Sequence, residues 1–166
     1  SNGNVVIGWR IPPDKDINRY EIQLKTTAGT NTPVAVVPGR SNTSYTYGTA
    51  ATFNNTVGIF VGAIDSCNKS STFNYSLTTI LLHAWYWVCD FKTELYWNDY
   101  LSMPGGVGFY KVYFSADGIN YKVVTTTTLT SFMHTGITDE GWLYYYVRVF
   151  SKDKSISASS NRGRLF

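Results

Sequence analysis

Five short motifs occur twice in this chain of 166 residues, in the same order both times. Ile7-Gly8-Trp9 returns as Leu95-Tyr96-Trp97, and Tyr20-Glu21-Ile22-Gln23-Leu24 returns as Tyr110-Lys111-Val112-Tyr113-Phe114. Thr43-Ser44-Tyr45 returns as Thr130-Ser131-Phe132, and Ile59-Phe60-Val61-Gly62-Ala63 as Tyr145-Tyr146-Val147-Arg148-Val149. Ser71-Thr72-Phe73-Asn74 returns more loosely as Ala158-Ser159-Ser160-Asn161. The second copy trails the first by 86 to 90 residues throughout. Self-similarity at a steady offset marks a duplicated unit. The copies divide the chain into residues 1–79 and 80–166.

Within each copy the apolar residues alternate. Tyr20, Ile22 and Leu24 point one way while Glu21, Gln23 and Lys25 point the other. Val57, Ile59, Val61 and Ala63 form a second inward row, and Pro33 to Val37 a further short strand. In the second copy Tyr110, Val112 and Phe114 face in, as do Leu143, Tyr145, Val147 and Val149, with Arg148 outside. Period-two alternation is the signature of a half-buried strand. Asp117-Gly118 accepts the positive φ of a tight turn, so Tyr121 to Thr127 reads as the returning strand of a hairpin. No helical period persists beyond a turn. Strands with turn signals between them, about seven per copy, predict an all-β chain of sandwiches.

The crossing between the copies is continuous strand material. It reads Thr79-Ile80-Leu81-Leu82-His83-Ala84-Trp85-Tyr86-Trp87-Val88-Cys89, with no glycine or proline between Phe73 and Pro104. That composition predicts a stiff joint.

Charge narrows the function classes. Charged residues make up 15% of the chain and the net charge is +3. Residues 1–83 carry six Lys and Arg against four Asp and Glu, and residues 84–166 carry eight against seven. No basic run marks a nucleic-acid footprint. The longest apolar run, Ile80 to Cys89, includes His83 and is about half of a membrane span. Neither a nucleic-acid partner nor membrane insertion is expected. The sequence as it stands shows no signal peptide.

Both halves resemble fibronectin type III modules. The Leu/Ile-x-Trp of that family's second strand occurs at Ile7–Trp9 and Leu95–Trp97, and the Tyr-x-Val/Ile-x-Phe/Leu of its third at Tyr20–Leu24 and Tyr110–Phe114. The sixth-strand row is clear at Tyr145–Val149. The resemblance implies two tandem immunoglobulin-like (fibronectin type III) β-sandwiches. Val57 and Leu143 occupy the tyrosine-corner positions, and the first copy opens at the second strand, so its first strand is missing or truncated.

Around the crossing, Asp65-Ser66-Cys67, Thr79-Ile80, Leu82, Cys89 and the Leu95, Trp97, Tyr100 set resemble tandem repeats in large secreted or surface proteins of gliding-type bacteria. Those gliding-motility-associated proteins often end in a sorting domain, which this sequence lacks. The likeness implies export, exposure at the cell surface, a spacer or adhesive role and no enzymatic activity.

The remaining side chains offer little chemistry. Cys67 and Cys89 are the only cysteines. They read as free thiols, a metal pair or a disulfide, and in an exported protein the disulfide is favoured. Such a bond would brace the joint. His83 and His134 have no nucleophile at a recognisable motif and read as ordinary strand residues. Asp14-Lys15-Asp16-Ile17-Asn18 lacks the glycine and closing glutamate of a calcium loop and reads as a solvated turn, like Asp139-Glu140. Neither a metal site nor a cofactor is expected. Asn42, Asn54, Asn68 and Asn74 begin glycosylation sequons, read here as chance products of a Ser/Thr/Asn-rich chain.

Aromatic residues supply the candidate ligand face. Alternation sends Trp85 and Trp87 to one side of their strand and Tyr86 to the other. The two tryptophans either cover apolar core or form an exposed platform for sugar rings. Tyr144 and Tyr146 pose the same question on the outer side of their strand. Two functions follow. One is a non-catalytic spacer and adhesion segment of a larger exported protein, with neighbouring domains, extracellular protein or polysaccharide as partners. The alternative is a carbohydrate-binding accessory module of a secreted glycan-active enzyme.

Overall fold

Alternating side chains sort each strand into an inner and an outer face, and the register between strands sets which rows meet. A computed structural model of the chain describes residues 4–25, 30–48, 56–71, 77–101, 103–138 and 141–166. These are all-β, with one short 3-10 turn at Val88–Asp90. Among them, residues up to 78 form one compact unit and residues from 79 onward another.

The first unit contains β1 (Val5–Gly8), β2 (Ile17–Lys25), β3 (Asn31–Pro38), β4 (Ser44–Tyr47), β5 (Gly58–Asp65) and β6 (Leu77–Thr78). β1 pairs with β4, and the other strands form a sheet in the order β3-β2-β5-β6, all antiparallel. Ile7 from one sheet packs with Ile22 and Ile59 from the other, and Trp9, Leu24, Val37, Tyr45 and Val61 close around them. This is a sandwich core in miniature. Of the Asp14–Asn18 segment, Lys15 and Asp16 form the expected turn and Ile17 and Asn18 already open β2; Arg40 pins it by donating from Nε to the Asp14 carbonyl at 2.8 Å.

The second unit contains β7 (Leu82–Trp87), β8 (Lys92–Trp97), β9 (Val107–Ser115), β10 (Lys122–Thr127), β11 (Ser131–Thr135), β12 (Leu143–Ser151), β13 (Ser157–Ser159) and β14 (Gly163–Leu165). Its sheets run β11-β8-β7 and β10-β9-β12, the latter continued by β13 and β14 along β12. Leu95, Val112, Phe114, Leu143, Tyr145, Val147 and Val149 are buried between them. The strand order repeats that of the first unit, with β8 in the place of β1 and β11 in that of β4. β7 has no counterpart among the described residues of the first unit. This all-β, two-sheet arrangement is fibronectin type III-like.

The repeat extends to single bonds. The Trp9 amide donates to the Thr43 carbonyl at 3.0 Å, and the Trp97 amide donates to the Thr130 carbonyl at 2.9 Å. Trp9 meets the Tyr20 ring at 5.0 Å and Trp97 meets the Tyr110 ring at 5.6 Å. Trp97 is buried, whereas Trp9 is half-buried on β1, which among the described residues pairs with β4 alone. Both indole N–H groups are enclosed without a partner.

The sheet edges are irregular in matching ways. Between β2 and β3 the register skips Val34, and between β9 and β10 it skips Val124, so each end strand carries one extra residue. β3 also contains Pro33 and Pro38. In the β9–β10 hairpin, Gly118 takes a φ of +72°, as its sequence position required.

Candidate functional site

The outer face of the β11-β8-β7 sheet is a grid of three rows. Cross-strand register sets Trp87 beside Lys92 and Thr135, Trp85 beside Glu94 and Met133, and His83 beside Tyr96 and Ser131. The inner residues of β8, namely Thr93, Leu95 and Trp97, are buried, so the outer ones face water. Trp85 is 47% exposed, Trp87 51% and Tyr96 41%. Of the two readings for the tryptophans, the structure gives the exposed one. Tyr86, on the inner side of β7, is half-buried.

Three rings of this grid are locked together. Trp85 and Tyr96 stack with centroids 4.8 Å apart and planes 20° apart. His83 lies 4.7 Å from Tyr96 at 19°, and its plane is within 11° of that of Trp85. Trp87 instead has the Lys92 ammonium 5.7 Å from its centroid. Asp90 holds that ammonium at 2.6 Å. His83 thus belongs to the aromatic face, and Tyr96, Lys92 and Glu94 join it. Residues this far apart in sequence meet only through the register of β7 against β8. The outward phase of Glu94 and Tyr96 between Thr93, Leu95 and Trp97 was the available signal.

Two asparagines fix the start of β7. Leu81 donates its amide to Asn98 Oδ1 at 2.7 Å. Leu82 donates to Asn161 Oδ1 at 2.6 Å and accepts from Asn161 Nδ2 at 3.1 Å. The strand carrying both tryptophans is held at this end by side chains as well as by its pairing with β8.

Tyr144 and Tyr146 lie on the other outer face of the same unit. The structure therefore does not bring them together with Trp85 and Trp87. Tyr146 stacks on Tyr113 at 4.4 Å with planes 6° apart, and the Tyr121 edge closes on it at 4.9 Å. The Arg162 guanidinium lies 5.4 Å from the Tyr121 centroid. Partial burial pushes the Tyr146 and Tyr121 hydroxyls up from their ordinary range. The Tyr144 ring lies against Gly118, where a Cβ would come within 3.2 Å of it. These tyrosines are spent on one another and on the β9–β10 loop.

Cys67 and Cys89 do not form the expected disulfide: both are free, exposed thiols. Each sits at the end of its unit away from the crossing. Thr78 pairs with Gly58 at one end of β5, while Cys67 follows Asp65 at the other. Leu82 opens β7, while Cys89 lies beyond Trp87 in the 3-10 turn. At about 3.3 Å per strand residue, each cysteine is roughly 20 Å along its strand from the crossing. Closeness in sequence misled because β5 and β7 each carry their cysteine to the far end of the strand.

His134 is built into the core. Its Nδ1 lies 2.8 Å from the Tyr145 hydroxyl, which donates to Thr93 Oγ1 at 3.2 Å. Among the described residues no group of three His, Cys, Asp or Glu is placed to hold a metal ion. Asn42 turns its amide to the Pro38 carbonyl at 2.6 Å, and Asn68 Oδ1 accepts from Arg19 at 3.0 Å. Asn54, Asn74, Thr72-Phe73 and Asp139-Glu140 lie outside the described residues.

No protein-family model matches the chain, and no curated protein matches it. Solved structures do. The central fibronectin-III array of RIM-binding protein matches over 100% of this chain and 64% of its own, at 15% identity and a TM-score of 0.41. The FN1-FN3 domains of chicken CNTN1 match over 99% and 62%, at 13% identity and a TM-score of 0.41. A β-1,2-glucanase from Parabacteroides distasonis matches over 98% of this chain and 27% of its own, at 14% identity and a TM-score of 0.43. The chain thus spans under two thirds of each of these three structures.

Proposed function

We propose that this chain is a non-catalytic spacer and adhesion segment of a larger exported protein, built as two fibronectin type III-like domains in tandem, 1–79 and 80–166. Export and a place among the surface proteins of gliding-type bacteria come from the sequence resemblance at the crossing. The supporting observation is how the second unit uses its acids. Asp117 accepts from Ser115 Oγ, from the Ile119 and Asn120 amides and from Asn120 Nδ2, all within 2.8 Å. Asp153 likewise closes its loop through Ser151 and Ser155. The carboxylates with the clearest shifts are lowered by bonds that shape turns, which is architectural chemistry. A screen of ester, glycoside and peptide substrates with divalent metals added should show no turnover. Turnover abolished by one substitution would overturn this reading.

A second reading has its own support. Trp85 and Trp87 stand exposed on one sheet face beside Glu94 and Lys92. That arrangement favours carbohydrate as the adhesive partner, as expected of a module that carries a glycan-active enzyme to its substrate. Retention on immobilised polysaccharide is the test.

A further inference from the structure

The two sheets of the second unit divide its charge. Asp and Glu occur in none of β9, β10, β12, β13 and β14, whereas Lys111, Lys122, Arg148 and Arg164 do. Lys111 and Arg148 are register partners across β9 and β12, on the outer side of the sheet, since their neighbours Val112 and Val147 are buried. Arg164 partners Tyr144 on the same side. These cations lie far apart in sequence, so no basic run announces them.

Like charges directly opposite one another weaken a sheet. Among the described residues no carboxylate pairs with Lys111, Arg148 or Arg162. Asp117 and Asp153, the acids of the adjoining loops, are taken up by loop hydrogen bonds. Aromatic rings hold the cations instead. Phe109 stacks on Phe150 at 5.1 Å, and the Lys111 ammonium and the Arg148 guanidinium lie 5.6 Å and 5.4 Å from the centroid of that same Phe150. Arg148 also donates from Nε and Nη2 to Ser157 Oγ at 3.1 and 2.8 Å. Its side chain is exposed, and among the described residues Nη1 has no protein acceptor. A fork already fixed loses little freedom when a ligand arrives. Burial raises the Tyr146 hydroxyl while Arg148 and Arg162 pull against it, so both charges reach that one group.

We infer that this face, centred on Lys111 and Arg148, binds a polysaccharide whose sugars carry carboxylates. The inference rests on the adhesion reading and gives it a surface and a ligand class. An anion laid across Lys111 and Arg148 relieves the repulsion between them, which no acid of the described residues does. A guanidinium offers parallel N–H donors that match a planar carboxylate, and an ammonium beside it acts as a point charge. Single-stranded nucleic acid fits less well, because it stacks its bases on open ring faces. Here the rings close on one another, Tyr113 on Tyr146 at 4.4 Å and Phe109 on Phe150. An acidic peptide adding as a strand needs a sheet edge, whereas Lys111 and Arg148 sit on the adjacent strands β9 and β12, between β10 and β13.

The test measures binding of the whole chain to beads carrying polygalacturonate, with dextran, dextran sulfate, polyglutamate and duplex DNA beside it. The chain should be held by polygalacturonate and pass dextran. Arg148→Gln and Lys111→Gln should each weaken binding about tenfold, the loss of one charged hydrogen bond. Lys15→Gln/Lys69→Gln takes two charges from exposed positions of the first unit and should leave binding unchanged. Near-ultraviolet dichroism and melting confirm that the variants fold. A loss in the Lys15/Lys69 variant equal to that of Lys111→Gln/Arg148→Gln overturns the face, because net charge alone then carries the binding. Preference for dextran sulfate overturns the carboxylate. Tighter binding to polyglutamate or DNA, released by the same substitutions, overturns the polysaccharide. No retention on any bead overturns this inference alone, since the spacer role and the Trp85 face do not depend on it.

Discussion

The Tyr145 hydroxyl crosses the second sandwich and donates to Thr93 Oγ1 at 3.2 Å. Thr93 has 0% exposure, so no solvent replaces this donor if it is lost. Tyr145→Phe should therefore destabilise the second unit by about 1–3 kcal/mol, the cost of stranding a buried polar group. Adding Thr93→Val removes the stranded group. The double variant should recover part of the loss, and urea unfolding of the set measures the coupling. Equal, additive losses would show that the bond carries nothing.

Acid should loosen the loop after β12. Ser151, Ser155 and the Ser155 amide bond Asp153 and hold its carboxyl down at about 2, below its ordinary value of 3.8. A group lowered by folding stabilises at pH values above its unfolded pKa and loses that contribution as pH falls through its folded one. Stability should fall between about pH 4 and pH 2. Asp153→Asn should flatten the contribution of this group, read as melting temperature against pH.

Alkali acts on Tyr100. Burial pushes its hydroxyl from 10.0 up to about 12. The unfolded chain ionises first, so the stabilisation is complete below pH 10 and declines as pH rises toward 12. Tyr100→Phe should remove this share of the decline, seen by following phenolate absorbance alongside unfolding. The Tyr100 amide, which donates to the Tyr110 hydroxyl at 3.1 Å, survives that substitution.

Cys67 and Cys89 should both react with a thiol reagent in the native protein, since both are exposed. A Cys67→Ser/Cys89→Ser variant should melt within about 4 °C of the parent, because surface changes away from special contacts usually cost under 0.5 kcal/mol. Unreactive native thiols that appear only after reduction would restore the disulfide.

What the sequence made legible was whatever alternation and repetition control. The inward rows Tyr110, Val112, Phe114 and Leu143, Tyr145, Val147, Val149 are buried in the expected phase. Trp9 and Trp97 even make the same backbone bond in their separate units. Quantities set by pairing were not legible. The stack of Trp85 on Tyr96 needs the β7–β8 register, and alternation gave only that Trp85 and Trp87 share a side. The two cysteines failed for a related reason, because each lies past the end of a strand that leads away from the crossing, which sequence separation does not reveal. Ser115-Ala116-Asp117 and Ser151-Lys152-Asp153 were a missed signal: a buried serine at a strand end, two before an aspartate that caps the loop.

The skipped valines at the sheet edges have a colloidal consequence. An end strand with a regular row of free amides templates the next copy, and chains that crowd together pay for it with fibrils. Val34 in β3 and Val124 in β10 break that row at matching places, and Pro33 and Pro38 delete two donors outright. A concentrated solution of this protein should resist cross-β assembly. Trimming Val124, which would leave β10 flush with β9, should create a sticky edge, visible as thioflavin-positive aggregate while the wild-type chain stays clear.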